Sequence, residues 1–118
     1  MLDMGQFTVP VRLTGPTGRS EEVELLVDTG ANFVTLPSDL AERLELPVTR
    51  WQRVRVAGGA TSTWPMADVR LAIGDNEVPT RCFIAPRGPA LLGAVALESL
   101  LLGVDPVNKR LVPIEGYA

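Results

Sequence analysis

The most informative segment of the sequence is Leu25-Leu26-Val27-Asp28-Thr29-Gly30-Ala31, in which an apolar strand ends in an acid and a Thr-Gly-Ala turn. A carboxylate at the end of a core strand is costly to bury unless it is hydrogen-bonded or paired. Gly30 has no Cβ, so its backbone can approach the Asp28 carboxylate closely and donate an N–H to it. Taken alone, the same residues could form an ordinary Asx turn between two strands, and a motif this short does not by itself identify a function.

The residues on either side of this stretch predict short strands joined by turns. Alternating apolar residues indicate three hairpins: 8–13 with 21–28, a second spanning 51–65 with Gly58-Gly59 at its tip, and 66–73 with 78–85. A short strand at 33–36, a helical turn at 40–44 and a last strand at 110–114 complete this set. The one convincing helix is predicted over 94–102, with Leu97, Leu100 and Leu101 on one face and Gly103 as its C-terminal cap. We therefore predict an all-β fold, a small and partly closed barrel with one C-terminal α-helix, in a single domain over residues 1–118.

The composition removes most catalytic chemistries from consideration. The chain of 118 residues contains no histidine and one cysteine. Without histidine there is no Ser-His, Cys-His or His-metal mechanism, and one cysteine supplies no internal disulfide, structural zinc site or iron–sulfur site. We expect no metal and no cofactor. Acid–base chemistry must then use Asp, Glu, Lys109 or Tyr117, because the chain has one lysine and one tyrosine.

Charge and hydropathy bear on partners and compartment. The net charge is −3, so we expect no nucleic-acid partner, which would need a basic excess. Arg50, Arg53 and Arg55 form a small basic cluster, which we interpret as the solvated face of a strand. The N-terminal residues lack the features of a signal peptide, and the most apolar stretch, 90–104, is interrupted by Glu98 and is too short to span a bilayer. These observations predict a soluble, cytoplasmic protein without a membrane partner.

In this context the sequence resembles the retropepsin-type (retroviral-like) aspartic proteases, especially the single-lobe bacterial members. Three features match in the family's order and spacing: the turn Asp28-Thr29-Gly30-Ala31 before a short strand, the glycine-tipped hairpin at 54–63 where the family has its flap, and Leu91-Leu92-Gly93-Ala94 leading into a helix. The run from Gly103 to Pro113 also looks like the tail of the bacterial group. The sequence departs from the family at Asn32-Phe33, where viral members are more acidic, and at Gly58-Gly59-Ala60, which lacks a larger apolar tip residue.

The resemblance implies a role for each matching residue. Asp28, Thr29 and Gly30 would form the catalytic turn, with Thr29 bonded to the partner's loop. Substrate would be bound by the loop and the flap, that is, by Ala31, Asn32, Gly58, Gly59 and Ala60. Leu91, Leu92 and Gly93 would support the catalytic turn from beneath. For Trp51 and Trp64, which flank the flap hairpin, we expect a cross-strand or core role rather than substrate contact.

Peptide hydrolysis by this chemistry needs two aspartates in one site, and the chain has one Asp-Thr-Gly. The other aspartates (Asp3, Asp39, Asp68, Asp75 and Asp105) lack that flanking sequence, and Asp105 before Pro106 reads as a turn former. The second carboxylate must therefore be Asp28 of another copy, which predicts a homodimer with its two-fold axis through the site. Residues 6–9 and 111–114 are candidates for the sheet between subunits. The predicted function is a homodimeric aspartic endopeptidase acting on peptide or protein substrates. The alternatives are a catalytically silent domain for dimerisation or peptide binding, and a monomeric barrel with an incidental turn.

Overall fold

The computed structural model describes residues 6–118, so Asp3 and the first part of the N-terminal segment lie outside the described residues. Within this range the chain forms strands β1 (Thr8–Thr14), β2 (Ser20–Val27), β3 (Val34–Pro37), β4 (Arg50–Arg55), β5 (Thr61–Ile73), β6 (Asn76–Ala85), β7 (Leu91–Leu92), β8 (Leu102–Asp105) and β9 (Arg110–Pro113), and helices α1 (Ser38–Arg43) and α2 (Ala94–Leu100). None of the helices in this range is long and apolar enough to cross a bilayer.

Seven strands form one sheet that closes on itself. Their order is β1-β2-β7-β3-β6-β5-β4, and β1 also pairs with β5. The closing contact joins Arg12–Thr14 of β1 to Arg70–Ala72 of β5 in antiparallel register. Strands β2 and β7 are parallel, as are β3 and β6, while β3 and β7 are antiparallel. The prediction of a small, partly closed all-β barrel with a C-terminal helix is confirmed.

The three predicted hairpins are present, but two of them share one long strand. The N-terminal half of β5 pairs with β4, from Arg50↔Met66 to Arg55↔Thr61. The C-terminal half pairs with β6, and Ile73↔Asn76 closes the turn Gly74-Asp75. Because β5 is 13 residues long, its residues 61–65 extend past the pairing with β6 and pair with β4 alone, which is an edge strand of the sheet.

The core lies inside the barrel and under the two helices. Its fully buried side chains are mostly leucines from alternate positions of the strands, namely Leu13, Leu25, Leu36, Leu71 and Leu92, with Leu44 from the end of α1. Cys82 is also fully buried, as expected for a small apolar residue on β6. The spacing of Leu40 and Leu44 that predicts a helical turn places both side chains in this core.

The prediction for the end of the last helix is wrong. Helix α2 ends at Leu100, and Leu101 adopts the left-handed conformation with φ 54°. Leu101 is 47% exposed and does not share the buried face of Leu97 and Leu100. Its carbonyl accepts a hydrogen bond from Ile114 N–H at 3.0 Å, and Leu102 begins β8, which pairs with β9. The helix stops early because the chain turns back to form this two-stranded sheet, so Gly103 is a strand residue and not a cap.

Candidate active site

Asp28 lies directly after β2, where the strand runs out of the barrel. Its backbone N–H donates to Leu92 O at 3.0 Å, continuing the parallel pairing of β2 with β7. Its carbonyl accepts from Ala31 N–H at 3.1 Å, which closes the turn. The Gly30 N–H donates to Asp28 Oδ1 at 3.0 Å, as the sequence predicts. The side-chain carboxylate is therefore fixed through one oxygen and is half-buried at the surface of the barrel.

The start of helix α2 supports this turn from beneath. Ala94 N–H donates to Ala31 O and Val95 N–H donates to Asn32 O, both at 2.9 Å. The approach requires glycine at position 93, because a Cβ there would lie 2.5 Å from Phe33 O and 2.9 Å from Ala31 O. The sequence Leu92-Gly93 thus connects the strand beside Asp28 to the helix that holds the loop after Asp28.

The β4–β5 hairpin ends in a tight glycine tip. Val56 N–H donates to Ala60 O at 2.9 Å, and Gly59 N–H donates to Val56 O at 3.0 Å. Gly58 and Gly59 have φ values of +93° and +92°, a backbone conformation that side chains disfavour. The Arg55 Nη1 donates to Gly59 O at 2.6 Å, so the guanidinium braces the tip.

A cleft of about 920 Å³ separates this hairpin from the Asp28 loop. One wall is the loop from Asp28 to Phe33, and another is the segment from Gln52 to Ala57 of the hairpin. The remaining wall comes from β6, the 86–90 loop and β7, including Phe83, Arg87 and Leu91. A cleft of this size, lined by apolar and aromatic side chains together with a smaller number of polar and charged ones, is typical of a binding site.

Three aromatic side chains form the apolar floor. Phe33 and Phe83 make an edge-to-face contact with ring centroids 5.6 Å apart. Trp64 packs on the other side of Phe83 in the same geometry at 6.4 Å. All three rings line the cleft with Asp28. Trp64 therefore makes a packing contact, as expected, but it also lines the cleft, where a bound ligand would touch it. Trp51 pairs across the strands with Pro65, is 63% exposed and lies outside the cleft wall, so of the two expected roles it has the cross-strand one.

Asp28 is the one carboxylate in the described wall of this cleft. Asp39 on α1, Asp68 on β5, Asp75 in the turn after β5 and Asp105 at the end of β8 all lie outside the cleft wall, and Asp105 forms the predicted turn. Its Oδ1 accepts from Val107 N–H and Asn108 N–H, both at 3.2 Å. Within residues 6–118, no group of three or more Cys, Asp or Glu side chains is arranged to hold a metal ion.

The structure brings most of the predicted site residues together. Asp28, Gly30, Ala31, Asn32, Gly59 and Leu91 line the cleft, while Leu92 and Gly93 lie beneath the turn. Thr29 is exposed beside the cleft, and Gly58 and Ala60 are exposed at the hairpin tip, outside the cleft wall. Sequence reasoning missed Phe33, Phe83 and Arg87 as wall residues. Only the position of Phe33 next to the Asp28 turn could have indicated one of them.

Comparisons with known proteins agree with this geometry. A family model described as aspartyl protease matches residues 9–105. A search of curated proteins found no match. Among solved structures, the EIAV protease complexed with the inhibitor HBY-793 has a similar fold, with a TM-score of 0.65 and 21% sequence identity over 80% of this chain and 88% of that chain. The family model covers most of the sequence and includes the Asp28 turn, the hairpin and helix α2; the chain therefore belongs to the aspartyl protease family and has the retropepsin-type fold.

Proposed function

We propose that this protein is a homodimeric aspartic endopeptidase in which two Asp28 carboxylates, one from each subunit, activate a water molecule. The observation that carries this proposal is the placement of Asp28. Its carboxylate lies in the wall of a large apolar cleft, is held through Oδ1 by Gly30, and has no second carboxylate beside it in the described wall. One subunit therefore supplies half of the required pair.

The chemistry follows from sharing one proton between two acids. Like charges about 3 Å apart do not both ionise, so the pair keeps one proton over a wide pH range and titrates as a unit. The ionised carboxylate accepts a proton as the water oxygen bonds to the scissile carbonyl carbon. The protonated carboxyl donates its proton to the carbonyl oxygen. As the tetrahedral intermediate collapses and its C–N bond breaks, the protonated carboxyl donates its proton to the leaving amine. One hydroxyl of the intermediate becomes the product carbonyl and returns its proton to the ionised carboxylate, so the pair again holds one proton.

The exposed features around Asp28 suit a symmetric partner. Thr29 is exposed, and its hydroxyl makes no hydrogen bond within residues 6–118, so it can bond to the partner's loop. Residues 111–113 lie on β9 and Ile114 follows it, and the outer edge of β9 is unpaired in the described two-stranded sheet. Residues 6–9 lead into β1, which pairs with β2 and joins β5 only through Arg12–Thr14. We propose both segments for the intersubunit sheet.

The hairpin tip would act as the flap over an extended peptide. Strand β4 is an edge strand that borders the cleft, and its free backbone groups can pair with a peptide laid alongside. Gly58, Gly59 and Ala60 would contact substrate when the tip closes, and Ala31 and Asn32 would contact it from the loop side. Closure would exclude water from the reacting groups.

Replacement of the acid by its isosteric amide tests the proposal. We expect Asp28→Asn to lower peptide cleavage by at least the ~10²–10⁴-fold that general acid–base catalysis contributes, while sedimentation should give a dimer for both the variant and the wild type. Asp68→Asn is the matched control, because Asp68 is exposed on β5 away from the cleft. A statine-type transition-state analogue should inhibit the wild type.

Two outcomes would contradict this mechanism. Full activity of Asp28→Asn would show that Asp28 is not a catalytic residue. A wild-type protein that stays monomeric at every concentration and still cleaves peptides would rule out a catalytic pair of Asp28 carboxylates. A dimer that binds peptides without cleaving any, from acidic to neutral pH, would instead indicate a silent peptide-binding domain.

A further inference from the structure

Eight of the ten arginines in the sequence belong to one of two groups, those in ion pairs and those in the cleft wall. Five of them form ion pairs with carboxylates, namely Arg12, Arg19, Arg43, Arg70 and Arg110, and none of these five lines the cleft around Asp28. Arg53, Arg55 and Arg87 do line it, and none of the three forms an ion pair within the described chain. Although the whole protein carries a net charge of −3, the residues that line its cleft include three exposed arginines without an ion pair in the described chain.

The three cleft arginines differ in whether their guanidinium groups are hydrogen-bonded. Arg55 is committed to the hairpin tip through its bond to Gly59 O. The guanidinium groups of Arg53 and Arg87 have no hydrogen-bond acceptor within residues 6–118. Arg53 lies on β4 in the hairpin, whereas Arg87 lies in the loop between β6 and β7. The start of that loop is fixed by Ser38, whose hydroxyl donates to Pro86 O at 3.2 Å.

An acidic side chain is the natural partner for these two groups. A guanidinium presents several N–H donors in a plane that matches a carboxylate, and a cleft with apolar walls focuses the field of its charges. We propose that Arg53 and Arg87 are specificity-determining residues, and that the cleft prefers peptides with a Glu or Asp side chain near the scissile bond. This inference rests on the proposed peptidase function and names its substrate class. It also revises the interpretation of Arg53 as part of a merely solvated strand face.

A pair of matched peptides measures the preference directly. The two peptides differ only by Glu or Gln at one position, which is moved in turn through the four residues on each side of the scissile bond. At pH 6 a peptide glutamate, with an ordinary pKa of about 4.3, is ionised. At the responding position we expect wild-type kcat/KM to favour Glu by about 3–10-fold, the size of a partly exposed charge-assisted contact.

Charge variants then assign the preference to residues. Arg87→Gln and Arg53→Gln should each bring the Glu-to-Gln ratio towards one, and Arg87→Lys should retain part of it. Arg87→Glu should reverse the ratio and favour a Lys-containing peptide. Arg81→Gln is the control, because Arg81 is an unpaired, exposed arginine on β6 outside the cleft wall, and it should keep the wild-type ratio.

A binding measurement separates this inference from the proposed function. Fluorescence anisotropy of the two peptides with the Asp28→Asn protein reports the charge preference without any cleavage. Preferential binding of the Glu peptide that Arg87→Gln abolishes supports the inference even if no peptide is cleaved. Equal binding and equal cleavage of the Glu and Gln peptides at every position would overturn it and leave the peptidase proposal standing. A preference that survives the Arg87 and Arg53 changes together would also overturn it.

Discussion

Gly93 is the position where a single methyl group should disturb both the fold and the active site. A Cβ at this position would lie 2.5 Å from Phe33 O and 2.7 Å from Phe33 C. Both are backbone atoms and cannot rotate away. To reach an ordinary contact of 3.4 Å, the start of α2 and the loop after Asp28 must separate by about 0.9 Å. That movement strains the bonds from Ala94 N–H to Ala31 O and from Val95 N–H to Asn32 O.

The expected loss of stability follows from these two effects. Overpacking in a close-packed region costs about 1–3 kcal/mol, and each weakened hydrogen bond contributes about 0.5–1.5 kcal/mol. We therefore expect Gly93→Ala to lower the free energy of unfolding by about 2–6 kcal/mol. Because the displaced loop carries Asp28, peptide cleavage should fall even under conditions where the variant is fully folded.

Urea unfolding and peptide cleavage of two further variants make the test specific. Gly116→Ala is the matched control, since a Cβ there lies 3.5 Å from the Leu101 side chain, an ordinary contact. Gly15→Ala should also destabilise the fold, because its Cβ would overlap the Leu44 carbonyl oxygen, but Gly15 lies outside the cleft wall and the folded variant should cleave normally. If Gly93→Ala unfolds within about 0.5 kcal/mol of the wild type, as ordinary surface changes do, the argument from backbone overlap is refuted.

Two further predictions concern pH. Burial raises the pKa of the Cys82 thiol to about 12, so the native protein should react with thiol reagents only as fast as it unfolds. The free energy of unfolding should also fall as the pH rises from about 9 towards 12, since only the unfolded thiol ionises in that range. A Cys82→Ala variant that shows the same loss of stability would contradict this assignment. Hydrogen bonds from Asn108, side chain and backbone, lower the pKa of Asp105. Asp105→Ala should therefore lower the melting temperature at pH 7, with a difference that shrinks as acid protonates the wild-type carboxyl; an equal difference at pH 2 would show that charge is not involved.

Much of the architecture could be predicted from local sequence, because hairpins are local. Alternation with a period of two and a turn of Gly, Pro or Asp specify which residues pair without reference to the rest of the chain. The Gly74-Asp75 turn and the Gly58-Gly59 tip follow this rule. Strand β7 does not, because it has only two residues and exists through its pairing with β2 and β3, which come from distant parts of the chain.

The candidate site also has some features that the local sequence predicts and others that depend on the fold. The local sequence was enough to predict that Asp28 ends a core strand, that Gly30 can donate to its carboxylate, and that no histidine chemistry is available. The fold was needed to see that Phe33, Trp64 and Phe83 form one aromatic floor and that Arg53 and Arg87 line the same cleft as Asp28. The aromatic side chains meet because β3 pairs with β6 and β6 pairs with β5, and residues on separate strands leave no periodic signal in the sequence when only the fold brings them into contact.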